Sequence, residues 1–132
     1  MISSPWKSFA TPREGKDYVA LLSYLPLKRY RMIPKFLRLS RETQKQLAKS
    51  SGLVGYTVGA EFLSQRFWTL SVWEDRQSLM DFVHEIPHSR IMQVLVPHMG
   101  KTRFAEWTVR AAEIPIRWAD AKRHMAGIVG GA

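Results

Sequence analysis

The chain has 132 residues, of which 20 are basic and 11 acidic, and its formal net charge is +9. Hydrophobic residues make up 45 % of it, enough for a packed core, and charged residues 23 %, which excludes a disordered chain. The absence of cysteine excludes disulfides, thiolate nucleophiles and cysteine-ligated metal sites. No apolar run approaches the roughly 20 residues of a membrane span, and no signal peptide is apparent, so we expect a soluble cytoplasmic protein.

The first half of the chain predicts a strand, a helix and a second strand. Residues 18–25 are β-rich and end at Pro26, which indicates a strand buried on both faces. Apolar and small side chains recur at three- and four-residue steps over residues 34–51, and Gly52 follows as a helix stop. Residues 53–60 predict a strand whose glycines mark a bulge or a close backbone approach.

The second half predicts a strand, an interrupted helix, a strand and a terminal helix. Asp75 is suited to cap the helix that begins at Arg76, and Pro87 interrupts this helix. The clear strand before Asp75 covers residues 67–73. After it come two helical pieces at residues 76–86 and 88–96, a strand at residues 103–109 and a terminal helix at residues 116–125. The order is therefore βαββαβ, which is the ferredoxin-like order of an α+β domain with a four-stranded antiparallel sheet.

Both faces of the predicted sheet are apolar, so each needs a cover. In the strand 67–73, Trp68 and Leu70 point to one face, while Phe67 and Trp73 point to the other. The two internal helices cover one face, and a bare second face would be a large exposed apolar patch. We favour a second copy of the chain as the cover, giving a homodimer. The alternative is the terminal helix, which would cover the face in cis through Ile116 and Trp118.

We divide the chain into an N-terminal extension (residues 1–16), a ferredoxin-like domain (residues 17–109) and a C-terminal helix with a flexible tail (residues 110–132).

The run from Phe67 to Val83, followed by Pro87 and His88, carries a resemblance to a known group of proteins. It resembles the dimeric α+β barrel superfamily, and more narrowly the antibiotic-biosynthesis-monooxygenase-like proteins and a spheroidene-monooxygenase-related uncharacterised group. Those proteins show a strand ending in Trp-Glu, a helix with an apolar residue near its start, then a Phe and a His. The matching positions are Trp73-Glu74, Leu79, Phe82 and His88, and residues 99–107 also look like that group.

The resemblance implies a small homodimeric monooxygenase-like protein with an apolar, polycyclic or isoprenoid ligand between sheet and helices. Many such oxygenases need no metal or flavin, and the protein supplies burial, orientation and a proton acceptor. His88 is then the candidate catalytic base. The candidate substrate-binding residues are Ser23, Tyr24, Arg31, Trp68, Trp73, Phe82, His84 and Trp107. A non-catalytic ligand-binding or stress-related dimer of the same fold is the alternative, since aromatic residues at strand parity are also typical of a core.

Haem stays open as a cofactor, although the haem-degrading pattern is not met. The resemblance places Met92 where those relatives have their ligating His, and Phe82 where they have a Trp. Those relatives also have an Asn on the first strand, whereas the first strand of this chain has Ser23 and Tyr24 but no Asn. Oxygenation in the spheroidene-related group is associated with haem, so ligation by His84, His88 or His98 remains an alternative to a cofactor-free reaction.

The string from His84 to His88 also matches the bare His-Glu-x-x-His pattern of metal sites. Pro87 lies inside it and disturbs the helical register that such a site needs, so we expect no metal there.

The positive charge belongs to the first 60 residues, which carry eleven basic and three acidic side chains, a net of +8. The rest carries nine basic and eight acidic side chains, a net of +1. One helical stripe carries Lys35, Arg38, Glu42, Lys45 and Lys49, and we interpret it as a solvated face rather than a phosphate, lipid or acidic-partner site. No nucleic-acid motif accompanies it, and we expect neither a nucleic-acid nor a membrane partner. The loop of residues 28–31 is placed to receive an anionic group of a substrate.

Overall fold

The structure, a computed structural model, describes residues 1–85 and 88–131, the side chains of residues 88, 89 and 127–131 excepted. Within these residues the chain forms six strands, four α-helices and three short 3-10 helices. The strands are β1 (Ile2–Ser3), β2 (Lys7–Ser8), β3 (Asp17–Pro26), β4 (Leu53–Glu61), β5 (Arg66–Trp73) and β6 (Arg103–Arg110). The helices are α1 (Ile33–Lys49), α2 (Arg76–His84), α3 (His88–Leu95) and α4 (Trp118–Gly131).

The four long strands form an antiparallel sheet in the order β4-β5-β3-β6. β3, the first strand of the βαββαβ unit, therefore lies between β5 and β6, which are the third and fourth strands of that unit. This is the arrangement that the ferredoxin-like order requires. The register pairs Leu22 with Leu70 and Ser23 with Thr69, so apolar and hydroxyl positions alternate together across the two central strands. The predicted fold class is confirmed.

The N-terminal extension enlarges the sheet, so the expectation of four strands is wrong. β1 and β2 both pair with β4, which makes the described sheet six-stranded. The Ser4 main chain and hydroxyl also hydrogen-bond to β4, with Ser4 N to Val58 O at 2.9 Å. The physical reason is the edge of β4, whose unpaired backbone groups gain partners from the extension. Each added strand has only two residues, too few to show a period in the sequence.

Helices α1, α2 and α3 cover one face of the sheet. Their apolar side chains join two buried clusters with the odd-numbered residues of β3 and β5. Leu47 and Leu79 pack with Trp73 in one cluster, and Phe36 and Leu95 pack with Phe67 in the other. The alternation predicted for residues 67–73 therefore decides which side chains meet the helices.

The opposite face is covered in cis by α4 and the segment before it. Ile116, Ala121 and Met125 are buried there with Leu22 and Leu70. This is the second of the two covers that the sequence left open, so the argument for a dimer from a bare face does not hold. A homodimer itself remains a prediction. The helix begins at Trp118 and continues to Gly131, two residues later and six residues further than predicted.

The helix boundaries follow the local signals. The Asp75 carboxylate accepts a hydrogen bond from the Ser78 N–H at 2.8 Å and caps α2, as predicted. This bond lowers the pKa of Asp75. Gly52, which follows α1, has a φ of +83°, a conformation that glycine adopts without strain. Pro87 lies outside the described residues, between the end of α2 and the start of α3.

Candidate ligand-binding cavity

A cavity of about 360 Å³ lies between the sheet and the three helices that cover it. Its volume is within the usual range of small-molecule pockets. Its floor is formed by Leu21, Ser23, Leu25, Thr69 and Ser71 of the two central strands. Its walls are Phe36, Ser40, Thr43 and Leu47 of α1, Leu79, Met80, Phe82 and Val83 of α2, and Ile91, Met92, Leu95 and Met99 of α3 and the turn after it. The cavity therefore joins the two buried clusters under the helices.

The polar groups of the cavity are hydroxyls. Ser23 and Thr69 lie directly opposite each other on β3 and β5, and both are half-buried. Neither side chain has a hydrogen-bond partner among the described residues. Thr43 is already engaged, because its hydroxyl donates to the Leu39 carbonyl at 3.1 Å. The floor thus offers a pair of hydroxyls that can donate to, or accept from, an oxygen of a bound molecule.

The rim of the cavity carries Glu106 of β6, the one charged residue of the lining within the described part of the chain. The Glu106 carboxylate accepts a hydrogen bond from Arg76 Nε at 3.0 Å, which joins the start of α2 to the edge strand. Phe104 lies two residues earlier on β6, also lines the cavity and is half exposed. The rim is therefore an aromatic ring beside a solvent-accessible ion pair.

Of the residues predicted for substrate binding, Ser23 and Phe82 line the cavity. Trp73 lies directly behind this lining. Its ring contacts Phe82 with a centroid distance of 5.3 Å, and its indole N–H donates to the Ser71 hydroxyl at 3.0 Å. Trp73 is fully buried and fixes two lining residues from behind rather than contacting the cavity itself.

The other predicted aromatic residues lie on the opposite face of the sheet. Tyr24 and Trp68 pack together there, with ring centroids 5.5 Å apart. Trp107 stacks on His124 of α4 with a centroid distance of 4.2 Å. The structure does not bring these three residues to the cavity, because strand alternation directs them under α4 instead.

The remaining predicted residues are a cation and two histidines. Arg31 is exposed in the turn before α1, and His84 is exposed at the end of α2; neither lines the cavity. His88 begins α3, and its side chain lies outside the described part of the chain. Its role as a base therefore stays a prediction.

Ser40 and Thr43 of α1, the three methionines and the rim residues were not among the predicted site residues. The helical spacing of Ser40, Thr43 and Leu47 was the available signal, since it places them on the face that α1 turns toward the sheet. Met80, Met92 and Met99 give no such signal, although flexible thioethers suit a cavity that adapts to its ligand.

The described residues form no metal cluster and bring no histidine into the cavity lining. They contain no cluster of three or more His, Asp or Glu residues that could hold a metal ion. The cavity lining described here has no His, Cys or Tyr to ligate haem iron, and neither His84 nor His98 belongs to it. Haem binding through His88 is left as the open alternative.

No protein-family model matches the sequence, and no curated protein matches it. Solved structures do match the fold. SnoaB, a cofactor-independent oxygenase from Streptomyces nogalater, is 16 % identical over 71 % of this chain and 94 % of its own, with a TM-score of 0.60. An antibiotic biosynthesis monooxygenase is 15 % identical over 67 % and 95 %, with a TM-score of 0.62. A dimeric ferredoxin-like protein of unknown function from Thermobifida fusca is 9 % identical over 74 % and 95 %, with a TM-score of 0.61.

At these identities the likeness shows the fold. The chain has the ferredoxin-like fold of the antibiotic-biosynthesis-monooxygenase-like proteins, as the run around Trp73 and Glu74 implied. The described chain contains no helix that could span a membrane.

Proposed function

We propose that this protein is a small cytoplasmic monooxygenase-like protein that binds an apolar, polycyclic or isoprenoid molecule in the cavity between sheet and helices. The observation that carries the proposal is the lining itself, which is apolar except for hydroxyls and a rim carboxylate. Such a lining favours a flat or extended carbon skeleton with a few oxygen substituents. The fold shared with a cofactor-independent oxygenase supports the oxygenase part of the proposal.

In this proposal the Ser23 and Thr69 hydroxyls hold an oxygen of the ligand on the cavity floor, and the methionine-rich walls enclose its rings. His88 is the proposed base, and it lies one helical turn before the lining residues Ile91 and Met92. A base at this place would remove a proton from the bound molecule, whose anion is then able to reduce oxygen.

Ligand binding tests the first part of the proposal. A panel of polycyclic aromatic and isoprenoid compounds is titrated into the protein while its tryptophan fluorescence is followed. Two lost hydrogen bonds should weaken binding about tenfold in the double variant Ser23→Ala with Thr69→Val. The matched control is Ser8→Ala with Thr108→Val, which removes the same groups from exposed positions outside the cavity. Equal affinities for both double variants would contradict the proposed floor.

Oxygen uptake with the compounds that bind tests the reaction. His88→Ala should lower turnover about a hundredfold or more while leaving affinity nearly unchanged. An absorbance spectrum of the purified protein separates the haem alternative, because bound haem gives an intense Soret band.

The second candidate function is non-catalytic ligand binding, as a homodimer or a single chain. Glu106 is the one ionisable side chain in the described lining, and it is already paired with Arg76. Tight binding without oxygen uptake, and with no effect of His88→Ala, would select this function. The molecular mass in solution, measured by light scattering, decides whether a homodimer forms.

A further inference from the structure

Exposed apolar and basic side chains meet at one end of the molecule, where the loop before α1 lies against the β4–β5 turn. Leu63 in the turn is 91 % exposed, and Tyr30 in the loop is 56 % exposed. The Tyr30 hydroxyl donates a hydrogen bond to the Leu63 carbonyl and so holds the two segments together. The Leu27 N–H donates to the Gln65 carbonyl at 2.8 Å and adds a second link. We call this surface the tip; it consists of Lys28, Arg29, Tyr30, Arg31, Phe62, Leu63 and Arg66.

The tip is positively charged and its cations are unpaired. Lys28, Arg29, Arg31 and Arg66 are all exposed. The ion pairs among the described residues join other side chains, so none of these four cations has an acidic partner there. Glu61 lies directly opposite Arg66 on the neighbouring strand without forming an ion pair with it, and its carboxylate accepts a hydrogen bond from Ser64. The tip thus keeps an excess of positive charge around its apolar residues.

The surface of the tip differs from the basic face of α1. The stripe of Lys35, Arg38, Lys45 and Lys49 is basic but lies on the outer face of a helix whose apolar side chains point inward. At the tip, by contrast, a leucine and two aromatic rings are themselves accessible between the cations. Apolar side chains flanked by Lys and Arg are typical of surfaces that insert shallowly into a lipid interface.

A chain of aromatic contacts joins the tip to the wall of the cavity. The Phe62 ring meets the Phe67 ring edge-on, with centroids 5.7 Å apart. Phe67 in turn contacts Phe36 at 4.5 Å, and Phe36 lines the cavity. Three aromatic rings therefore connect the exposed turn with the wall of the proposed ligand site.

We propose that the tip docks on the surface of an anionic membrane, with Leu63 and Phe62 among the headgroups and the four cations against the phosphates. The charge of the tip complements such a surface, and each Lys or Arg near it adds to the attraction. This departs from our expectation of no membrane partner, which rested on the helical stripe and assigned the loop of residues 28–31 to an anionic group of a substrate. The docking is peripheral and independent of whether the cavity ligand is turned over.

Sedimentation of the full chain with lipid vesicles tests the proposal. Vesicles of phosphatidylcholine alone should bind little protein, whereas vesicles that also contain phosphatidylglycerol should bind it with an affinity that falls as salt is added. Leu63→Ser should weaken this binding about tenfold. The double reversal Arg29→Glu with Arg31→Glu should weaken it by more than about tenfold.

Two control variants separate the tip from general charge and general hydrophobicity. Lys45→Glu with Lys49→Glu makes the same change in net charge on α1, and Val94→Ser removes an exposed apolar side chain from α3; both should retain binding. The thermal unfolding midpoint of each variant shows that the fold is kept.

Three results would overturn the proposal: no binding to the mixed vesicles, equal losses in the α1 control, or unchanged binding by Leu63→Ser. If the protein bound a short duplex DNA as tightly as the mixed vesicles, and Leu63→Ser did not weaken binding, the tip would be a general polyanion site instead. Because no cavity ligand is present in the assay, its outcome does not depend on the proposed oxygenation.

Discussion

The cover over the second face of the sheet makes a quantitative prediction for Ile116→Ala. Ile116 is 8 % exposed and packs with the buried residues of β3, β5 and α4. The substitution removes three carbon atoms, and at about 0.8 kcal/mol for each buried carbon the transfer term is about 2.4 kcal/mol. A cavity term adds to this, so the free energy of unfolding should fall by about 3 kcal/mol.

Urea unfolding measures this loss, with Leu37→Ala as the control. Leu37 lies on α1 and is 40 % exposed, so its truncation should lower the free energy of unfolding by only about 1 kcal/mol, well below the loss expected for Ile116→Ala. The urea dependence of the free energy should stay the same in both variants, since the surface exposed on unfolding is nearly unchanged.

Protein concentration distinguishes a cover in cis from a cover by a second copy. If Ile116 acts within its own chain, the loss should be equal at protein concentrations that differ about a hundredfold. If a partner chain were needed, that change of concentration would shift the apparent free energy of unfolding by about 2.7 kcal/mol. A loss below about 1 kcal/mol, or one confined to high concentration, would refute the assignment of the cover to this segment.

Two further predictions concern the extension and the start of α2. In Gly55→Ala the new Cβ would lie 2.5 Å from the Trp6 indole nitrogen, so we expect a loss of about 1–3 kcal/mol in denaturant unfolding. Adding Trp6→Ala should recover part of that loss, because it removes the indole that the new Cβ meets. If the loss in the double variant equalled the sum of the losses in the two single variants, the clash would be contradicted. At Asp75, the bond from Ser78 lowers the carboxyl pKa, so its stabilisation is present above the unfolded-state pKa and lost as pH falls through the lowered folded value. Asp75→Asn should therefore reduce the acid dependence of the thermal midpoint, and an unchanged dependence would refute this.

Long periodic segments made most of the fold predictable. The alternation over residues 67–73 gave the strand and the two faces of the sheet, and the spacing from Phe36 to Leu47 gave α1 and its inward side. Asp75 and Gly52 marked helix boundaries because each satisfies a local backbone requirement. These signals are local, so they do not depend on knowing what lies opposite.

The cavity was less predictable because it depends on which elements meet. Tyr24, Trp68 and Trp107 have the composition of a pocket wall, but their strand parity sends them under α4. The sequence indicated that both faces are apolar and gave no sign of which face keeps a space. That space lies on the helix-covered face, where Ser23 and Thr69 have smaller side chains than the apolar residues around them. Small hydroxyl residues on the central strands, at positions facing the helices, were the more informative signal.

The order of the elements along the chain has a consequence for synthesis on the ribosome. α4 covers the face formed by β3, β5 and β6, yet it follows all three in the chain. Leu22 and Leu70 on the two central strands are therefore synthesised well before the helix that buries them, and they lack that cover until α4 has left the ribosome. Chains that have emerged only in part are then the species most prone to aggregate or to engage chaperones.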